Sequence, residues 1–145
     1  MFEWYDPDLI VAAFRAVQAR RANAFLLVVT RTAEEASRFF AAKFDAGSFA
    51  VISAEHNDVP ALLNAADLGL LLLKEAPNIR TSSPVKFAEY VNCGLPVLIS
   101  RNVGDYSDLV TNTGIGSVFD NATPDALAFL DADRDELAQI GRAHV

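Results

Sequence analysis

The sequence predicts an α/β protein with a doubly wound parallel sheet in a single domain. Helical patterns and short apolar runs alternate along all 145 residues. The apolar runs are too uniform for strands with one face in water, which indicates strands covered by helices on both faces. The length fits one ordinary domain, and no repeat or linker divides it. The predicted fold is therefore Rossmann-like, with one domain over residues 1–145.

The first half of the chain supplies three helix–strand pairs. Helices are predicted over residues 6–21, 32–44 and 58–67. Each is followed by a predicted strand, over residues 24–30, 48–53 and 68–74 in turn. Asp6 and Pro7 fit a helix cap followed by proline in the first turn. The helix over 32–44 has its acidic residues early and Lys43 late, as the helix dipole prefers. The apolar runs have strand length rather than helix length.

The second half continues the alternation. Helices are predicted over 84–92 and 105–111 and strands over 96–100 and 116–120. Thr123 and Pro124 start one further helix, and Asp133 to Glu136 fit a capping box for the last.

Composition and charge exclude several classes of protein. The formal net charge is −7, and no cluster of Lys and Arg is large enough for a nucleic-acid backbone or an anionic membrane. Cys93 is the one cysteine, so the chain forms no internal disulfide and fits a reducing cytoplasm. No apolar run reaches the roughly 18 to 20 residues of a membrane span. The first residues lack a secretory signal pattern.

The segment 80–100, RTSSPVKFAEYVNCGLPVLIS, combines hydrogen-bonding groups with a helix start. In doubly wound sheets, ligands bind beyond the carboxyl ends of the strands, where this segment follows strand 68–74. Pro84 fits the first helical position, with Ser83 as the cap and Ser82 just outside. The N–H groups of Val85, Lys86 and Phe87 would then have no partner within the helix. Together with the serine hydroxyls, they would form a set of hydrogen-bond donors for a phosphate.

Glu89 lies about 7 Å farther along the same helix, at 1.5 Å per residue. Its side chain leans back toward the helix start, so its carboxylate can meet a group attached to the phosphate. A ribose, with two adjacent hydroxyls, suits that place. A plain helix cap at Ser83 with a solvated charge at Glu89 stays open as the alternative on this reasoning.

The same segment resembles the nucleotide-sugar half of a GT-B glycosyltransferase of the retaining group 1 family. That family has a small or polar residue, then Pro-x-Lys-(aromatic or Leu)-x-Glu-Tyr-x-x-x-Gly-x-Pro-Val. The matching residues are Pro84, Lys86, Phe87, Glu89, Tyr90, Gly94, Pro96 and Val97. The flanking segments, residues 58–73 and 99–120, and the first helix resemble the family as well. The resemblance therefore covers nearly the whole chain and implies the C-terminal domain, half of a GT-B fold.

The resemblance implies roles for individual residues. Glu89 matches the second glutamate of the family's Glu-x7-Glu motif, which holds the ribose, whereas the first glutamate falls at Thr81 and leaves the sugar contact there open. The residues Ser82, Ser83, Pro84 and Val85 correspond to the turn that receives the diphosphate. Lys86 would add charge near the phosphates, although a surface role fits it equally. Ser53 to Asn57 stand where the family usually places the base.

The function implied is binding of a nucleotide-diphosphate sugar for transfer to a glycan or lipid-linked saccharide, a step of polysaccharide biosynthesis. No cofactor, metal or catalytic residue is expected in this chain. The expected partner is the missing N-terminal acceptor domain, and the chain alone is expected to be inactive. The full-length enzyme is expected to lie in the cytoplasm, peripheral to the inner membrane. The alternatives are a GT-B epimerase-like domain and a flavodoxin- or receiver-like interaction module without a small ligand.

The start of the chain raises a question about the sheet. A domain of this family begins with a strand that lies between the strands matching residues 24–30 and 68–74. Residues 1–5 are too few for that strand, its turn and the approach to the helix at Asp6. Because unpaired buried strand edges are costly, two compensations are expected. Either the run 24–30 pairs directly with the run 68–74, or a second chain fills the gap, which would make a homodimer through exposed strand edges.

Overall fold

The computed structural model describes residues 3–79, 84–121, 124–131 and 134–142, and within them helices and parallel strands alternate as predicted. The α-helices are α1 (Pro7–Arg20), α2 (Ala33–Ala41), α3 (Val59–Asn64), α4 (Val85–Asn92), α5 (Tyr106–Thr113) and α6 (Arg134–Arg142). The strands are β1 (Leu26–Val29), β2 (Phe49–Ile52), β3 (Gly69–Leu71), β4 (Val97–Ile99) and β5 (Gly116–Val118). Two 3-10 helices, His56–Asp58 and Pro124–Asp131, complete these elements.

The helix ends follow local sequence signals in two clear cases. The Asp6 side chain caps α1 by accepting a hydrogen bond from the Leu9 N–H at 3.0 Å, and Pro7 stands in the first turn. Gly114 ends α5 with φ 72°, a left-handed conformation that suits glycine. Thr32 precedes α2 without a side-chain cap. The predicted caps at Ser83, Thr123 and Asp133 lie outside the described residues.

The strands are parallel but form two sheets instead of one. β1 pairs with β2, from Leu26 opposite Phe49 to Val29 opposite Ile52. The other sheet has the order β3-β4-β5, with Gly69 opposite Val97 and Val97 opposite Gly116. The α/β fold class is thus confirmed. The predicted single sheet is instead two sheets, because β1 and β3 do not pair with each other.

The prediction that the run 24–30 pairs directly with the run 68–74 is wrong for the described residues, because other groups occupy the edge of β3. Tyr5 forms an antiparallel bridge with Leu73. The Asp6 N–H donates to the Leu72 carbonyl and the Lys74 N–H to the Trp4 carbonyl, both at 2.9 Å. Residues 4–6 thus cross the end of β3 and form one bridge there, not a central strand of the sheet. The second-chain compensation stays a prediction.

Helices cover both faces of the β3-β4-β5 sheet, as doubly wound topology requires. β4 shows this most directly, since its three residues are fully buried and alternate between two cores. Leu98 packs in a core with residues of α1, α2, α6 and the second 3-10 helix. Val97 and Ile99 pack in another with residues of α4 and α5. Among the described helices, none has both the length and the apolar character that a membrane span needs.

Two buried serines shape the loop at the carboxyl end of β4. The Ser107 hydroxyl donates to the Ser100 carbonyl at 2.9 Å and accepts from the Val103 N–H at 3.0 Å. The Ser100 hydroxyl accepts from the Leu73 N–H at 2.9 Å, which ties this loop to the end of β3. The loop between β4 and α5 is therefore held against β3 by buried hydrogen bonds.

Replacing Ser107 with alanine is expected to lower the free energy of unfolding by about 1 to 2 kcal/mol, because a buried N–H and a buried carbonyl both lose their partner. Urea denaturation of the variant and the parent measures the change. Thr113→Ala is the control, since the Thr113 hydroxyl donates to the Leu109 carbonyl at an exposed position. Equal effects of the two substitutions would contradict the role of the buried network.

Candidate functional site

The N-terminus of α4 lies beyond the carboxyl end of β3, where the sequence places the candidate site. Pro84 has extended backbone angles (φ −70°, ψ 118°) and stands just before the helix. The prediction that Pro84 occupies the first helical position is therefore wrong. Its carbonyl accepts a hydrogen bond from the Phe87 N–H at 3.0 Å, so that amide is already used. Val85 and Lys86 occupy the first turn, where an α-helix offers no internal acceptor for the N–H groups.

A cavity of about 320 Å³ opens beside this helix start. Residues from the N-terminal segment, β3 and its following loop, and the first turn of α4 form its wall. They are Trp4, Tyr5, Leu71, Leu73, Asn78, Ile79, Pro84, Val85 and Lys86. Most of these side chains are apolar, and Val85 is 70% exposed. The cavity can therefore take an apolar face of a ligand next to the helix N-terminus.

Glu89 and Lys86 form an ion pair on the outer face of α4. The Lys86 Nζ lies 2.8 Å from the Glu89 Oε2, and their side chains are 47% and 22% exposed, respectively. A pair three residues apart at this exposure contributes only a few tenths of a kcal/mol. Exchange of this ion pair for contacts with a ligand at the helix start would therefore cost little energy.

Two tyrosines lie near the Glu89 carboxylate. Burial, and secondarily the negative charge of Glu89, raises the pKa of Tyr5 above its ordinary value. Burial also raises the pKa of Tyr90, with smaller effects of Tyr5 and Glu89. The Tyr90 hydroxyl donates to the Leu70 carbonyl at 3.2 Å, so this side chain links α4 to the edge of β3. Both phenols are therefore held neutral beside Glu89.

The raised pKa values predict a loss of stability in alkaline solution. An unfolded tyrosine ionises near pH 10, and the folded pKa of Tyr5 and Tyr90 is higher. Their stabilising contribution is complete below about pH 10 and is lost as the pH rises toward the folded values. We expect the free energy of unfolding to fall above pH 10, measured by urea denaturation from pH 8 to 11. The fall should be smaller in Tyr90→Phe, and an identical fall would contradict this assignment.

The loops after β4 and β5 add polar groups at the same end of the sheet. Arg101 forms an ion pair with Asp120, which follows β5. Asn102 adopts a left-handed backbone conformation, with φ 58°, and its side-chain amide donates to the Glu75 carboxylate at 3.3 Å. Asparagine tolerates this conformation better than most residues. These contacts join the loops after β3, β4 and β5 at the carboxyl edge.

The structure brings only part of the predicted site together. Pro84, Val85 and Lys86 line the cavity, and Glu89 pairs with Lys86. Thr81, Ser82 and Ser83 lie outside the described residues. The segment 53–57, which was expected near the base, includes the start of the 3-10 helix His56–Asp58. No residue of this segment lines the cavity.

Sequence reasoning missed the residues that form the other walls. Trp4 and Tyr5 precede the α1 cap, and the bridge between Tyr5 and Leu73 brings them to the cavity. Ile79 accepts a hydrogen bond from the Gly104 N–H at 3.1 Å, which connects this wall to the loop after β4. The available signal in the sequence was the pair of adjacent aromatic residues, Trp4 and Tyr5, because aromatic side chains commonly line ligand pockets.

Comparison with known proteins assigns the family. The profile of the family described as glycosyl transferases group 1 matches residues 2–130. No curated protein matches the chain. The family match supports a GT-B glycosyltransferase domain and does not favour the epimerase-like or the flavodoxin- and receiver-like alternatives. Together with the α/β fold, the match over most of the sequence shows that this chain belongs to the group 1 glycosyl transferases.

Proposed function

We propose that this chain binds a nucleotide-diphosphate sugar and is the C-terminal, donor-binding domain of a retaining glycosyltransferase. The observation that carries the proposal is the arrangement at α4. An open cavity adjoins the helix N-terminus, Lys86 stands in the first turn, and Glu89 follows three residues later. This order of groups suits a diphosphate at the helix start and a ribose at Glu89.

The proposed chemistry follows from the same groups. When the bond between the sugar and the diphosphate breaks, negative charge grows on the leaving phosphate. The α4 N-terminus and the Lys86 ammonium would stabilise that charge electrostatically. Thr81, Ser82 and Ser83 belong to this diphosphate site by resemblance to the family. No cofactor or metal enters the proposal.

The remaining parts of the proposed function concern partners and place. A second, N-terminal domain would bind the acceptor, a glycan or a lipid-linked saccharide, and the two domains would meet over the carboxyl edge of the sheet. The enzyme would act in the cytoplasm, where nucleotide sugars are made, and on a lipid-linked acceptor it would lie at the inner membrane. Residues 1–145 form the donor half in this arrangement.

Calorimetric titration with UDP, GDP and their sugars tests donor binding directly. We expect saturable binding of at least one nucleotide sugar, and weaker binding of the corresponding nucleoside, which lacks the diphosphate. Inorganic pyrophosphate is the matched control for the phosphate site alone. Absence of saturable binding by every nucleotide and nucleotide sugar at millimolar concentration would overturn the proposal.

A further inference from the structure

The ring of Tyr90 lies directly against Gly69, the first residue of β3. A methyl group added to the Gly69 Cα would lie 2.5 Å from the Tyr90 Cδ2 and 2.7 Å from its Cγ. Carbon atoms in ordinary contact are about 3.5 to 4.0 Å apart. The absence of a side chain at Gly69 therefore lets the ring, and with it α4, approach β3 this closely.

The Tyr90 hydroxyl makes a second contact with β3. It donates to the Leu70 carbonyl at 3.2 Å. The Gly69 N–H donates to the carbonyl of Pro96, which precedes β4, at 2.9 Å. Because backbone groups alternate in direction along a strand, the Leu70 carbonyl points away from β4. Tyr90 thus holds α4 to one face of β3 through its ring and to one edge of β3 through its hydroxyl.

Neither β3 nor the Tyr90 ring has room to move apart at this contact. β3 is paired with β4, whose three residues are fully buried. The Tyr90 Cγ is bonded to the Cβ and lies on the axis about which the ring turns, so rotation of the ring leaves it in place. An added methyl group at Gly69 would therefore push α4 as a whole away from β3, by about 1 Å to reach an ordinary contact.

The cavity at the start of α4 lies between the same two elements. Leu71 of β3 and Leu73 just beyond it form one wall, and Val85 and Lys86 of the first turn of α4 form another. α4 is a single helix of eight residues, and Tyr90 stands about 7.5 Å along it from Val85. A displacement of α4 at Tyr90 therefore moves the first turn as well and changes the separation of these walls.

We propose that Tyr90 is a positioning residue, which together with Gly69 sets the separation of α4 from β3 and thereby the width of the ligand cavity. Tyr90 acts through α4 and not by touching the ligand. Its effect on ligand affinity rests on the proposed nucleotide-sugar binding, because the same separation places Glu89 and the helix N-terminus relative to the β3 wall. Its effect on the cavity does not depend on that function.

The width of the cavity is measurable without a ligand, because Trp4 lines it and is the one tryptophan of the chain. Trp4 is 50% exposed, so its fluorescence can respond to a wider opening. In Gly69→Ala we expect a red shift of the Trp4 emission and stronger quenching by acrylamide. Gly47→Ala is the matched control, since a methyl group at Gly47 meets no atom within 4 Å and should change neither quantity.

Calorimetric titration with the nucleotide sugar that binds the parent best tests the consequence for the site. We expect Gly69→Ala to lower the affinity roughly tenfold or more, since a misplacement of about 1 Å removes much of the benefit of positioned groups. Gly47→Ala should leave the affinity unchanged. Phe40→Leu alters the core on the other face of the sheet, so it should lower the free energy of unfolding but keep the affinity within about twofold.

A double variant assigns the effect to the Tyr90 ring. Tyr90→Ala removes the ring atoms that the added methyl group would meet. In that background, Gly69→Ala should have little further effect on affinity or on Trp4 fluorescence, and such non-additivity indicates a direct contact. A full effect of Gly69→Ala in both backgrounds would show that the ring is not the cause and would overturn the proposal.

Two other results would overturn the proposal. They are identical Trp4 fluorescence in Gly69→Ala and the parent, and equal nucleotide-sugar affinity in Gly69→Ala and Gly47→Ala. If the parent binds no nucleotide sugar, the proposed function fails, and the Trp4 measurements alone decide whether the contact sets the cavity width. If Gly69→Ala does not fold, Tyr90→Phe replaces it, because it adds no atom and removes the hydrogen bond to Leu70. Unchanged affinity and unchanged Trp4 fluorescence in Tyr90→Phe would then reject the role.

Discussion

Replacing Glu89 with alanine is expected to weaken nucleotide-sugar binding by about 1.5 to 3 kcal/mol, the range for hydrogen bonds to a charged group. This corresponds to roughly a 10- to 150-fold loss of affinity. The physical reason is that the carboxylate would accept hydrogen bonds from the ribose hydroxyls, one turn behind the phosphate position. Calorimetric titration with the nucleotide sugar that binds the parent best measures the loss.

The control for Glu89→Ala must separate ligand contact from loss of the ion pair with Lys86. Glu89→Gln removes the charge from the same 2.8 Å pair, keeps a side-chain oxygen that can accept hydrogen bonds, and leaves Lys86 in place at the proposed phosphate site. A ligand lacking a ribose hydroxyl gives a second test, because a 2′-deoxy nucleotide should bind the parent more weakly and the Glu89→Ala variant without that penalty. Unchanged affinity of a folded Glu89→Ala variant would remove Glu89 from the site.

Replacing Phe40 with alanine is expected to lower the free energy of unfolding by about 3 to 5 kcal/mol, the range for deleting a buried phenylalanine side chain. Phe40 is fully buried in α2. Its ring lies 5.1 Å from Phe39, 6.1 Å from Phe44 and 6.3 Å from Phe49, measured between ring centroids. The substitution therefore opens a cavity within an aromatic group that joins α2 to β2.

Urea denaturation of Phe40→Ala, with an unchanged slope, would measure this loss. Phe25→Ala is the matched control, because Phe25 is 56% exposed and should contribute less than about 1 kcal/mol. A domain of this size is stable by only about 5 to 15 kcal/mol, so Phe40→Ala should remove a large share. A loss below 1 kcal/mol would show that the aromatic group is not a core of the folded protein.

The candidate site was predictable where its residues are neighbours in sequence. Val85, Lys86 and Glu89 stand on one short helix, which Pro84 immediately precedes, and helical spacing alone indicates that Glu89 lies about one turn from the helix start. Trp4 was not predictable in the same way. It reaches the cavity because residues 4–6 cross the end of β3, which lies about seventy positions away in the sequence.

The division of the sheet shows the same limit for the fold. The sequence indicated that the runs around β1 and β3 need partners, since both are apolar and short. It did not indicate that the main chain of Asp6 and the hydroxyl of Tyr90 would take the β3 edge. Competition between such partners depends on which groups the folded chain brings within hydrogen-bond distance.

The sequence by itself determined the alternation of helices and strands, the α1 cap at Asp6, the parallel α/β class and the position of the α4 segment. These features depend on periodicity, caps and turn residues, which act over a few neighbouring positions. Only the tertiary structure decided that β1 and β3 belong to separate sheets, that Trp4 and Tyr5 line the cavity, and that Tyr5 and Tyr90, both partly buried, lie near Glu89. Strand pairing, cavities and burial join residues far apart in the sequence, and their energies exist only once the chain has brought those residues together.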